Sequence, residues 1–490
     1  MLRAWAVGLL VLAFSCGKSD DRFASVREKI LAGLEEQHVS SLAIAVAQGG
    51  EIVWEEGFGL ADRERNIRAT PHTLYSLASI SKPITATGLM RLVERGEIAL
   101  DRPANDYLGE GKIRGRAADA AGATVARVAS HSAGLPLHYQ FFLEGENYPR
   151  PSMDETIAHY ANLVTQPGEK YQYSNLGFGI VDHIIERTAA KPYPQYMREE
   201  VFEPLGMEHT AIPISSQDFD SGQEWAVRYW DLETPLPFYD FDHRGGSAVY
   251  SCAHDLVRFG MSHLGQTEQS VLSAESIAKM RQPIADVSPG SGYGLGWRID
   301  EDRMGVRTIS HTGGMGGVAT SLVLAPEHGL VVVVLTNASS GLAHEISHET
   351  FAALIPEYRR RLEASRSEQT KEAKPAAALP ADLQGVWEGQ VETYQATLPF
   401  RLEVVGANEA RASLGGADPT ALREISFEDG YLTAKLDGDI GTPDANRREY
   451  DLNLNVKLRG DKLNGSLTAV GKPSPKLPNA LTSWIELAKE

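Results

Sequence analysis

Hydrophobic and polar positions change period several times along this chain, and those changes divide it. Over 26–34 the apolar residues recur at helical spacing, and 42–54 alternates as a hairpin turned by Gly49-Gly50. Helical stretches follow, then strand patterns at 321–324 and 330–335, then another helix. Strands at both ends with helices between them predict an α+β domain over 24–360, an antiparallel sheet flanked by helices. Between 361 and 381 large apolar residues almost vanish and Pro375 and Pro380 appear, so this stretch reads as a linker. Beyond it, Leu402 and Val404, then Tyr450, Leu452, Leu454, Val456 and Leu458 alternate with polar residues. That pattern predicts a small antiparallel all-β C-terminal domain over 382–490, with Trp387 and Trp484 as core plugs and no catalytic cluster. Its role is accessory and is not specified by any motif.

The first 15 residues hold Arg3 and an apolar run from Ala4 to Phe14, too short for a span of about 20 residues and sized for a signal-peptide core. Ala13 and Ser15 precede Cys16, and polar residues follow. The expectation is a signal peptide at 1–15 of the bacterial lipoprotein type, a lipid on Cys16 and a tether at 16–23. That would export the protein to the cell envelope, with its membrane contact made through the lipid. The charge of −18, from 65 acidic and 47 basic residues, argues against nucleic acid and acidic polymers as partners. An apolar fraction of 42% excludes wholesale disorder, and two cysteines exclude a disulfide scaffold. Cys252, in SAVYSCAHDL, reads as a buried small hydrophobe.

Three segments carry possible chemistry. In SLASISKPITATGLM, Ser79 and Lys82 are three apart at the start of an expected helix, so they share one face. Pro83 supports a first-turn placement, because its missing N–H costs nothing there. Ser79 would then sit where helix amides stabilise an oxyanion, with an ammonium one turn away to relay its proton. Taken alone, S-x-x-K reads better as an N-cap serine with a solvent-facing lysine. In PGEKYQYSNLGFG, Tyr173 is a potential general base if its hydroxyl faces a buried ammonium, and Asn175 is a potential amide donor to a substrate carbonyl. In TISHTGGMGG, His311, Thr312, Gly313 and Gly314 fall on an expected strand. Glycines there admit a substrate backbone, and the Gly314 N–H is a second potential oxyanion donor.

In this order, Ser79-x-x-Lys82, Tyr173-Ser174-Asn175 and His311-Thr312-Gly313 resemble the three active-site motifs of class C β-lactamases and penicillin-binding-protein-like serine hydrolases. HSAGLP at 131–136, FEPLGM at 202–207, GGSAVYSCAHDL at 245–256 and YGLGW at 293–297 agree with that family. The resemblance covers about 24–360. It implies a β-lactamase/transpeptidase-like fold, with Ser79 as the acylated nucleophile, Lys82 and Tyr173 as its proton-transfer partners, and the Ser79 and Gly314 amides as the oxyanion hole. Neither a metal nor an organic cofactor is implied, and the substrate would be a small ester, amide or short D-amino-acid peptide. His311 departs from the family pattern, since class C β-lactamases carry a lysine there that anchors the antibiotic carboxylate. The family members with His here include esterases, peptidases and amidases. The expectation is that His311 positions the substrate or Tyr173 and gives activity a pH inflection between about 5 and 8.

Other readings compete. A true β-lactamase or a DD-peptidase acting on stem peptides would use the same residues. A catalytically silent envelope binding module would keep the fold alone. His344-Glu345-Ile346-Ser347-His348 fits H-E-x-x-H, a zinc pattern, but no third ligand motif follows it and a solvated helix face explains it as well. Gly314-x-Gly316-x-x-Ala319 resembles a dinucleotide loop, yet strand-like rather than helical sequence follows.

Overall fold

The computed structural model describes residues 21–219, 224–368 and 378–490. The expected signal peptide and Cys16 lie outside the described residues, and among those described no helix is long and apolar enough to cross a membrane.

The N-terminal hairpin pairs Ser41–Gln48 with Glu51–Asp62, and Gly49 and Gly50 take φ of +63° and +89°, as a tight hairpin turn of this hand requires. Its first strand then joins Leu330–Thr336, with Ile44 opposite Val334, so both ends of the domain build one sheet as expected. The sheet continues outward through Val318–Ala325, Val306–Met315, Arg298–Arg303, Ser291–Tyr293 and Ala285–Ser288, while Ile67–Arg68 forms the opposite edge. Every pairing is antiparallel.

The central strands are apolar on both faces because each face is covered. Ala43, Ala45, Ala47, Leu322 and Val333 belong to the core beneath the helical layer that carries the S-x-x-K segment. Leu42, Ile44, Val46 and Val332 pack instead with the terminal helices Ala24–Glu36 and Leu342–Leu354. A following helix, Pro356–Glu368, runs through 361–368, where the sequence predicts linker. Tyr358 and Leu362, one turn apart and nearly fully buried, hold it on the same core. Two apolar anchors among many charges are too faint a pattern to mark a helix in advance.

The C-terminal sheet is antiparallel, in the order Thr420–Ala421, Glu409–Leu414, Thr397–Gly406, Gly385–Glu392, Ala480–Lys489, Lys462–Gly471, Tyr450–Arg459, Tyr431–Leu436, Arg423–Glu428. Trp387 and Trp484 are buried in it, and the Trp387 indole N–H donates to the Leu383 carbonyl. The domain is latched to the first one. Tyr139 and Ala480 exchange backbone hydrogen bonds, Glu169 meets Lys457 at 2.7 Å and Arg459 at 3.0 Å, and Glu146 meets Arg447 and Arg448, each at 2.7 Å.

Candidate active site

Ser79 lies in a short 3-10 turn, Ala78–Ile80, that runs into the buried helix Ser81–Glu94, so its expected place at a helix N-terminus holds. The turn is pinned from three sides. The Leu77 N–H donates to the Val249 carbonyl, the Thr320 hydroxyl donates to the Leu77 carbonyl, and the Val249 N–H donates to Ser81 Oγ. Between these bonds Ala78 takes a φ of +48°, a costly conformation for a side-chain-bearing residue, immediately before Ser79.

Lys82 is buried one turn on, its Nζ 3.1 Å from Ser79 Oγ, 2.7 Å from Asn175 Oδ1 and 2.9 Å from the Gly246 carbonyl. All three partners are neutral oxygens. Burial without a compensating carboxylate holds the amine well below the ordinary lysine range. On the other side of Ser79, the Tyr173 hydroxyl donates to Oγ at 2.8 Å. The sequence expectation of an easily ionised Tyr173 is corrected here. Lys82 Nζ stands 4.8 Å from the centre of its ring rather than on the hydroxyl, and burial pushes the phenol up. Asn175, at the first residue of the helix Asn175–Ala189, has a second task that the sequence did not show: its carbonyl oxygen accepts from Lys82, while its amide nitrogen is still a donor for a substrate carbonyl. Ser174 caps that helix and donates to the Pro136 carbonyl, fixing the extended segment that carries Tyr173.

The third motif lies on the strand Val306–Met315, as expected. His311 is buried, with Nδ1 2.7 Å from the Thr312 carbonyl and Nε2 2.9 Å from the Tyr293 hydroxyl. A carbonyl only accepts, so Nδ1 carries the hydrogen and Nε2 takes the tyrosine's. Burial, with Lys82 nearby, pushes the imidazole down to about 3. It is therefore neutral through the physiological range, which contradicts the expected inflection between about 5 and 8. Gly313 must be glycine: a Cβ there would stand 2.2 Å from both the Leu77 carbonyl oxygen and Thr320 Oγ1. At Gly314 a Cβ would meet nothing within 4 Å, so this residue opens onto the cleft.

Ser79, Tyr173, Asn175, His311, Thr312 and Gly314 line one cavity of about 1320 Å³. Lys82 and Gly313 do not line the cavity; Lys82 is buried behind Ser79. The sequence reading missed several participants. Tyr293 bonds His311, and His131 accepts the Ser174 N–H at Nδ1. The Gly246 carbonyl holds Lys82, and Pro478 of the C-terminal domain forms wall. Tyr293, His131 and Gly246 do fall in the segments YGLGW, HSAGLP and GGSAVYSCAHDL, yet nothing within those segments ranks one residue above another.

His344 and His348 share a helical face as H-E-x-x-H requires, with their Nε2 atoms 3.1 Å apart. Glu345, however, is bonded to Gln37, and the Arg303 guanidinium lies 2.8 Å from His348 Nε2, the atom a metal would need. Burial with Arg303 nearby pushes His348 down to about 3. Cys252 is buried and free as expected, its sulfur capping the helix Ala253–His263 by accepting the Asp255 N–H.

The family model described as Beta-lactamase matches residues 26–357. The chain belongs to the Beta-lactamase family. Among relatives, it is 27% identical over 342 residues to the unguisins hydrolase ungD' of Aspergillus campestris, covering 65% of this chain and 62% of that one. The chain thus spans less than two thirds of that relative's length. It is 29% identical over 355 residues to the esterase EstB of Burkholderia gladioli, covering 62% of this chain and 88% of that one. In fold it is similar to the octameric penicillin-binding protein homologue of Pyrococcus abyssi, with a TM-score of 0.59, 23% identity, and coverage of 93% of this chain and 99% of that one.

Proposed function

We propose that this protein is a serine hydrolase that cleaves small esters or amides, short D-amino-acid peptides among them, through an acyl-enzyme on Ser79. The observation that carries this reading is Ser79 Oγ held between Lys82 Nζ at 3.1 Å and the Tyr173 hydroxyl at 2.8 Å at the edge of a large cavity. A neutral amine has two N–H groups and one lone pair. Asn175 Oδ1 and the Gly246 carbonyl take the two hydrogens, which leaves the lone pair for the Ser79 hydroxyl. Lys82 is therefore the base: Oγ bonds the substrate carbonyl carbon as its proton moves to Nζ. The Ser79 and Gly314 amides receive the oxyanion. As the tetrahedral intermediate collapses, Tyr173 gives its hydroxyl proton to the leaving oxygen or nitrogen and the Lys82 ammonium returns one to the Tyr173 oxygen, which leaves both groups neutral. Water then hydrolyses the ester on Ser79.

A neutral His311 gives a β-lactam carboxylate no fixed cation, which makes β-lactams the weaker substrates. The relatives named as an esterase and a hydrolase support the same preference. The expected signal peptide at 1–15, with a lipid on Cys16, makes the cell envelope the proposed place of action. Labelling with a serine-directed phosphonate, followed by peptide mapping, should place the adduct on Ser79. Turnover of a short-chain nitrophenyl ester should exceed that of a chromogenic cephalosporin. An unlabelled Ser79 would favour the silent binding module, and a preference for the cephalosporin would reverse the substrate assignment.

A further inference from the structure

Asp242 takes no part in the steps above, yet its carboxylate is fully buried beside the cleft. Its Oδ2 lies 2.6 Å from His138 Nε2 and its Oδ1 lies 2.7 Å from His243 Nδ1. A buried ion is expensive unless hydrogen-bonded partners surround it. Burial works against the charge here, but the two histidines hold the carboxyl well below the usual carboxylate range. Because a carboxylate only accepts, His243 carries its hydrogen on Nδ1 and leaves the Nε2 lone pair free. Burial also lowers the His243 imidazole, so it is neutral and able to accept a proton.

His243 lines the same cavity as Ser79. Its Cδ2, the carbon bonded to Nε2, lies 3.2 Å from the point where a Cβ on Gly246 would stand, and Lys82 Nζ lies 3.6 Å from that same point. The imidazole edge and the amine thus flank one bare glycine. Once Ser79 is esterified, Lys82 stays bonded to Asn175 and Gly246, and its third direction faces the ester oxygen rather than an incoming water. Tyr173 faces that oxygen as well.

We infer that His243, oriented by Asp242, is the general base of the second half-reaction, taking a proton from the water that attacks the acyl group on Ser79. This rests on the acyl-enzyme reading above. Water oxygen bonds the acyl carbon, one water proton passes to His243 Nε2, and the carbonyl electron pair moves to the oxyanion. Collapse breaks the bond from acyl carbon to Oγ. The His243 imidazolium first passes its proton to the Lys82 lone pair, and the resulting ammonium protonates Oγ, so a carboxylic acid leaves and every residue is restored.

Rapid-mixing kinetics with a nitrophenyl ester separates the two half-reactions. His243→Gln should release the first nitrophenol in a burst of about one per chain, at a rate within a few-fold of wild-type acylation. Its steady-state turnover should fall about 10²–10⁴-fold, the range for a lost general base. Intact mass should show the acyl adduct persisting. Hydroxylamine, a nucleophile that needs no base, should restore turnover to His243→Gln far more than it accelerates wild type. Asp242→Asn should show the same deacylation-selective loss. The burst itself reports folded sites, so a misfolded variant is recognised by its absence alongside a changed melting curve, and the hydroxylamine readout on His243→Gln then decides. Equal losses in burst and steady state, or unchanged turnover, would overturn the role of His243 while leaving the Ser79 mechanism intact. A wild type that turns over ester without any Ser79 adduct would overturn both.

Discussion

Lys82 sits among oxygens that carry no charge, and this decides which form of the amine the site holds. A base works only when unprotonated. Acylation should therefore rise with pH through the Lys82 titration, at a pH well below that of an exposed lysine. His311→Gln should leave that midpoint in place, because the imidazole is neutral above about 3 and contributes no inflection near neutrality. A pH–rate profile of the burst phase checks both statements. Lys82→Arg, which keeps a cation but cannot act as a base, should lower kcat by about 10²–10⁴-fold. At this scale the Ser79–Lys82 spacing and Pro83 were legible as a helix start, but only the joint resemblance of the three motifs marked Ser79, Lys82 and Tyr173 as chemistry. The protonation states were not legible, since they depend on Asn175, Gly246 and Tyr293 arriving from distant segments.

The strand Val306–Met315 places two adjacent glycines in opposite surroundings. Gly313→Ala drives a methyl into the Leu77 carbonyl and Thr320, the contacts that set Ala78 and therefore Ser79. The expected cost is about 1–3 kcal/mol of stability, as for other overpacked sites, together with slower acylation. Gly314→Ala points into open cleft, so stability should stay within about 0.5 kcal/mol while kcat/KM falls through crowding of the oxyanion position. Thermal unfolding and ester kinetics on the pair would test this, and a Gly313→Ala protein as stable as wild type would contradict it. The hairpin at the N-terminus, the strands at 321–324 and 330–335 and the closing helix were legible from period alone. The helix Pro356–Glu368 was not, because its surface charges outnumber its two anchors.

The molecule closes its cleft with a second domain. Pro478 lines the cavity, and Leu477 packs so tightly on Gly316 that a Cβ there would stand 2.1 Å from Leu477 Cδ2. The accessory role expected from the tail's lack of catalytic residues understates this, since apolar wall carries no motif. The latch is ionic and therefore sensitive to acid. Burial opposes the charge on Glu169 and Glu146, yet hydrogen bonds from Lys457 and Arg459 to the first, and from Arg448 and Arg447 to the second, hold each carboxyl down to about 2. Lowered folded values stabilise the closed arrangement above the ordinary glutamate value of 4.5, and that contribution is lost as pH falls from there toward about 2. Glu169→Gln should flatten part of the decline in urea midpoint between pH 5 and about 3, and an unchanged decline would exclude the latch as its source.

The central claim is that Ser79 is the nucleophile, and initial rates for wild type and Ser79→Ala on a short-chain nitrophenyl ester test it most directly. Wild type should show measurable turnover, and Ser79→Ala should fall to the uncatalysed background at an unchanged melting temperature. Turnover that survives the substitution would contradict the serine mechanism.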